Sequence, residues 1–146
     1  MAALTKDRNT PFRALDLQID APVAAAKKIF AGALVMLNAS GDATPGAAAT
    51  GQIPLGRARA QVDNSAGAAG DVTIEVESGV FRFANSAAAD LIARAEIGDV
   101  CYIVDDQTVA KTDGTGSRSK AGLIVDVDAV TGEVWVDMRP AAVAAV

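Results

Sequence analysis

Val72, Ile74 and Val76 alternate with Thr73, Glu75 and Glu77. A period of two puts the apolar residues on one side of an extended chain and the charged ones on the other, which suits a half-buried strand and no helix. The same alternation sets Leu15, Leu17 and Ile19 against Asp16, Gln18 and Asp20, and Ala58, Ala60 and Val62 against Arg57, Arg59, Gln61 and Asp63. Residues 80–84 continue extended after a Ser78-Gly79 turn, and 100–104 reads as a buried strand with a short return strand at 108–111. Residues 123–130 and 133–138 form a hairpin around Thr131-Gly132. With those two residues as the loop, Val127 faces Val136 and Val125 faces Met138. The other side pairs Asp128 with Trp135 and sets Asp126 against Asp137, an unfavourable pair that a partner's basic group would relieve. The apolar run 29–37 around Gly32 reads as a buried strand with its turn, with a helix as the competing assignment. Residues 38–54, 64–70 and 113–120 carry loop chemistry.

One helix is expected, at 85–99, with Ser86 as N-cap, Leu91, Ile92 and Ala95 on one face, and Gly98 near its end. About eight short strands and one short helix make a mainly β chain, a small β-sandwich or barrel-like domain. Its expected limits are 13–139, after an extended N-terminal arm at 1–12 that ends in Thr10-Pro11-Phe12, and before a C-terminal tail at 140–146. Of the 146 residues, 32 are Ala and 13 are Gly, and Phe, Trp and Tyr number only six. A core built from such small side chains buries little area per residue, which makes burial against neighbouring subunits an attractive source of stability.

The chain contains no histidine, which excludes Ser-His-Asp and Cys-His catalysis and every histidine-based metal site. A single cysteine, Cys101, excludes an internal disulfide and a Cys-x-x-Cys motif; in its apolar run it reads as an inert core thiol. The longest apolar run has nine residues, against the roughly 18 that a membrane helix needs. The first residues are polar and show no signal peptide, and with the free cysteine this suits synthesis in a reducing cytoplasm. A net charge of −5 without a basic block argues against binding driven by nucleic-acid phosphates.

The segment 113–122, Asp-Gly-Thr-Gly-Ser-Arg-Ser-Lys-Ala-Gly, has the composition of a phosphate loop but not its order, because Ser119 precedes Lys120 and Ala121 follows it. The carboxylates Asp105, Asp106, Asp113, Asp126, Asp128 and Asp137 fit no calcium loop and read as turns and solvated strand faces. Neither a catalytic residue nor a cofactor or metal site is expected. Two features suggest contact with other proteins. Trp135 lies on the charged side of its strand rather than with Val134 and Val136, where it is either partly covered by a loop or an aromatic anchor for an interface. Lys6, Arg8 and Arg13 make the arm and its junction locally basic in an acidic protein; such charges are either simply solvated or, together with Phe12, order the arm on a partner.

Three stretches carry a resemblance. They are 62–86, containing Gly-Asp-Val-Thr-Ile-Glu-Val-Glu and Ser-Gly-Val-Phe-Arg-Phe-Ala-Asn; 97–110, Ile-Gly-Asp-Val-Cys-Tyr-Ile-Val-Asp-Asp-Gln-Thr-Val-Ala; and 121–128 with Val134-Trp-Val136. In this order the chain, over about residues 29–138, resembles the head decoration (cement) proteins of tailed phages and Mu-like prophages. The resemblance implies a β-rich virion protein on the capsid exterior, made in the host bacterial cytoplasm. Its implied partners are the major capsid protein and itself, as a homotrimer at three-fold and quasi-three-fold positions, without nucleic acid or membrane. The arm is then expected to lie along a capsid subunit. Rival expectations are another virion component, such as a turret, fibre base or tail protein, and a small trimeric β hydrolase using paired aspartates.

Overall fold

A computed structural model describes residues 17–140 and Val143, and these are mainly β. Twelve strands follow in chain order: β1 (Gln18–Pro22), β2 (Lys27–Ile29), β3 (Leu34–Leu37), β4 (Ala43–Pro45), β5 (Ile53–Ala58), β6 (Val62–Asn64), β7 (Thr73–Glu77), β8 (Val80–Asn85), β9 (Val100–Ile103), β10 (Thr108–Ala110), β11 (Lys120–Val127) and β12 (Val134–Asp137). They form a five-stranded sheet in the order β1-β7-β5-β3-β4, a closed five-stranded barrel in the order β10-β8-β12-β11-β9, and a β2–β6 ribbon. An isolated parallel bridge between Val23 and Ala43 draws the two edges of the first sheet together and rolls it.

Each unit has its own core. Val23, Ile29, Val35, Ile74 and Val76 fill the rolled sheet, whereas Phe83, Ile92, Ile103, Ile124 and Val136 fill the barrel. Strand β3 serves both. Leu34 and Met36 belong to the barrel core, and Ala33 and Val35 to the core of the rolled sheet. A strand covered on both faces has no polar side, which is why 33–37 is uniformly apolar. Its helical alternative is not adopted. A turn from Phe30 to Ala33 intervenes, closed by Ala33 N–H donating to the Phe30 carbonyl at 3.2 Å, with Gly32 at φ +82 in the left-handed region glycine takes freely. Ser119 clasps the two units. Its Oγ donates to the Ala49 carbonyl at 2.6 Å and accepts from Gln52 N–H at 3.0 Å.

Several expectations need correction. The helix at 85–99 is replaced by two 3₁₀ turns, Ala88–Asp90 and Arg94–Glu96. Ala88 has φ +53, and the flanking Ala87, Leu91, Ala93 and Ile97 are extended, so no α-helical ladder forms. Ser86 is not a cap; its hydroxyl donates to the Val109 carbonyl at 2.9 Å. The loop at 38–54 contains β4 and the start of β5. The single strand expected over 57–63 is two, because β5 pairs with β3 and β7 whereas β6 turns away to β2.

The β11–β12 hairpin has a different register. Asp128 N–H donates to the Glu133 carbonyl at 2.8 Å, so the loop holds four residues, 129–132, not two. Lengthening by two preserves which face each residue occupies. A bulge between Ile124 and Asp126 does not: Ile124 pairs with Val136, Asp126 with Trp135 and Val127 with Val134. Ile124 therefore goes inward, and Val125 is turned out and is 44% exposed.

Candidate interaction surface

The outer wall of the barrel near the hairpin is built by cross-strand pairing. Trp135 on β12 lies opposite Arg82 on β8 and Asp126 on β11. It is half-buried, between the fully buried Val134 and Val136 in sequence, so the expected outward placement holds. The Arg82 guanidinium sits 5.8 Å from the centre of its ring, a cation–π arrangement. The same guanidinium pairs with Glu133 at 2.8 Å and Asp128 at 3.5 Å. On the other flank, Arg94 from the second 3₁₀ turn pairs with Asp126 at 2.8 Å. These pairs are exposed, so each adds little stability, but together they hold the wall's side chains in place.

The opposed aspartates expected at 126 and 137 do not meet. Asp126 faces Trp135, and Asp137 faces Leu123. Asp137 is buried, and its carboxylate accepts from Arg139 Nη2 at 2.6 Å, Arg139 Nε at 2.9 Å and the Arg139 backbone N–H at 3.0 Å. Arg139 thereby holds the Asp137 carboxyl below its usual range. The bases that relieve both aspartates come from this chain, not from a partner.

The hairpin tip is braced. Asp128 Oδ1 accepts from Val130 N–H and Thr131 N–H, both at 2.9 Å, and the Thr131 and Val130 amides keep its carboxyl below the usual range. Asn85 Nδ2 donates to the Gly132 carbonyl at 3.1 Å. This firm turn presents Val130, 94% exposed, to solvent.

Other sites carry less chemistry. Cys101 is fully buried, and burial pushes its thiol up to about 12. The 113–120 loop wraps on its own side chains: Ser117 and Arg118 N–H both donate to the Asp113 carbonyl at 3.0 Å, and Arg118 pairs with Asp90 at 3.1 Å. Among the described residues, no three Cys, Asp or Glu side chains gather as a metal site, and no helix is long and apolar enough to cross a membrane. An open hollow of about 410 Å³ lies beside Phe30 and Asp106, and another of about 420 Å³ beside Ile53 and Tyr102. Lys6, Arg8, Phe12 and Arg13 lie outside the described residues, so of the sequence-derived interface residues only Trp135 is placed.

Sequence reasoning missed Val125, Ile97, Phe30 and Ile53, all large apolar residues that are exposed. For Val125 the missing information was the bulge, which reverses its face. Ile97 falls near the end of the 85–99 segment, whose helical spacing predicts a helix that does not form. No family model matches the chain, and no curated protein or solved structure matches it.

Proposed function

We propose that this chain is a structural protein of a phage virion that binds the outer surface of the assembled capsid and stabilises it against internal pressure, as a homotrimer at three-fold and quasi-three-fold positions. The observation that carries the reading is where the family-like stretches fall. The segments 62–86, 97–110, 121–128 and 134–136 contain nearly all of β8 to β12, and those five strands are the closed barrel. The likeness to decoration proteins therefore takes in nearly the whole barrel, together with β6 and β7 from the other two sheets. A closed barrel clasped to a rolled sheet, with a braced tip and large apolar side chains outside, also suits a rigid clamp.

On this reading the mechanism is thermodynamic. Each copy buries surface on two or more capsid subunits, and binding to the expanded shell alone stabilises that state by mass action. Symmetry repeats many modest contacts over the whole shell. No bond is made or broken, and the chain is not an enzyme.

The test is co-sedimentation of the full chain with expanded empty capsids and, separately, with unexpanded shells. Saturation at a fixed ratio to the capsid subunit on the expanded form alone is expected. Absence of binding to both forms overturns the proposal and directs attention to a different virion partner.

A further inference from the structure

We propose that the bulged outer wall of the barrel, centred on Val125, Ile97 and Trp135, is the face through which the chain contacts a second copy of itself. This rests on the self-associating part of the reading above and not on capsid binding.

The first ground is the placement of apolar groups. The bulge between Ile124 and Asp126 turns Val125 outward, where it is 44% exposed. The β9–β11 ladder pairs Leu123 with Val100 and continues through Ile124 N–H donating to the Asp99 carbonyl and Gly98 N–H donating to the Ile124 carbonyl, both at 2.9 Å. That continuation brings Ile97, 37% exposed, alongside Val125 and Asp126. Asp126 in turn lies opposite Trp135. A β-branched residue extruded by a bulge, a second one beside it and a half-buried tryptophan make the apolar centre of an interface rather than scattered surface residues.

The second ground is charge, and it favours a second copy over a strongly charged partner. Around this centre the two signs interleave: Arg94 with Asp126, and Arg82 with Glu133 and Asp128. These two arginines and three carboxylates are paired with one another within the chain, so a strongly acidic or basic partner would have to break those pairs and meet repulsion from the groups of its own sign. A second copy turned about a symmetry axis brings the same alternation, so that arginines of one copy face carboxylates of the other. Two molecules of net charge −5 repel overall, and they approach most easily where both signs are present.

Sedimentation equilibrium over a concentration series tests this. The variants are Val125→Glu, Ile97→Lys and, at an exposed apolar residue in a different turn, Phe30→Glu. All three positions are solvent-accessible, so an unchanged thermal unfolding midpoint at high dilution is the check that each variant folds. The wild type is expected to associate reversibly. Val125→Glu and Ile97→Lys are each expected to weaken that association by about thirtyfold, the scale of losing an interface anchor, while Phe30→Glu leaves it unchanged. A wild type that stays monomeric at about millimolar concentration, weaker than a specific interface gives, overturns the inference. So do a Val125→Glu chain that associates like the wild type and an equal loss in Phe30→Glu. Capsid co-sedimentation of the same proteins separates the two proposals: self-association that depends on Val125 without capsid binding supports this inference and sinks the capsid reading.

Discussion

Asn85 holds Ile92 by both backbone groups: its Oδ1 accepts from Ile92 N–H at 3.0 Å, and its Nδ2 donates to the Ile92 carbonyl at 2.8 Å. One side chain thus satisfies the amide and the carbonyl that a helix over 85–99 would need. In exchange, Ile92 is seated in the barrel core at 1% exposure. Asn85→Ala leaves those groups unpaired and is expected to cost about 1–3 kcal/mol in denaturant unfolding. Asn85→Asp keeps the acceptor but sets a carboxylate oxygen against the Ile92 and Gly132 carbonyls, and is expected to cost at least as much as alanine. An alanine variant as stable as the wild type would show that this bracket is not what seats Ile92.

Strand β3 lines both cores, so the two are expected to unfold as one cooperative unit. Leu34 is fully buried on the barrel side, and Leu34→Ala is expected to cost about 2–5 kcal/mol, the usual range for truncating a buried leucine. Trp135, the sole tryptophan, reports on the barrel, and far-ultraviolet circular dichroism reports on all the strands. The two signals are expected to move together in the wild type and in the variant. Separate transitions would mean that the barrel and the rolled sheet unfold independently.

Cys101 is expected to resist thiol reagents in the native state. Burial pushes its thiol up to about 12, so almost no thiolate exists at neutral pH, and no reagent can reach it without opening the barrel. The labelling rate should rise with denaturant in step with unfolding. Rapid labelling of the native protein would contradict the closed barrel.

Stability is expected to stay level from pH 8 to 5 and to fall below about pH 4. Asp63, Asp90, Glu96, Asp128 and Asp137 are all held below their ordinary values, chiefly by hydrogen bonds from Ser65, Thr112, Lys111, the Thr131 amide and Arg139 respectively. A depressed folded value means that the unfolded chain binds more protons. The contribution is therefore whole above the ordinary carboxylate range and is lost as the pH drops through the folded values. No histidine is present to add a step near neutrality. A transition between pH 5 and 7 in thermal melts would contradict this assignment.

What the sequence made legible was burial written in local order. The alternation at 72–77 is β7, with Ile74 and Val76 buried and Glu75 outside. Trp135 could be placed outward because its neighbours on both sides are apolar. Where burial depends on distant chain, the pattern misleads. β3 has no alternation, because a second core covers its other face. The 85–99 segment has helical spacing, yet a side chain on the preceding strand takes its backbone groups. The hairpin register rests on Gly122 as well: a Cβ there would lie 2.2 Å from the Asp137 carbonyl oxygen, a close approach between strands that no local signal announces. The exposed centre at Val125 follows from a bulge and was therefore invisible to strict alternation.

The two-sided strand also has a consequence for the order in which the protein is made. All the strands of the rolled sheet lie within residues 18–77, ahead of the barrel strands, so they leave the ribosome first. A chain halted there can pair β1, β7, β5, β3 and β4, but it turns Leu34 and Met36 toward water. The nascent protein carries an adhesive stripe until its second half arrives to cover it, and translation speed across residues 80–137 sets how long that stripe is open to other chains.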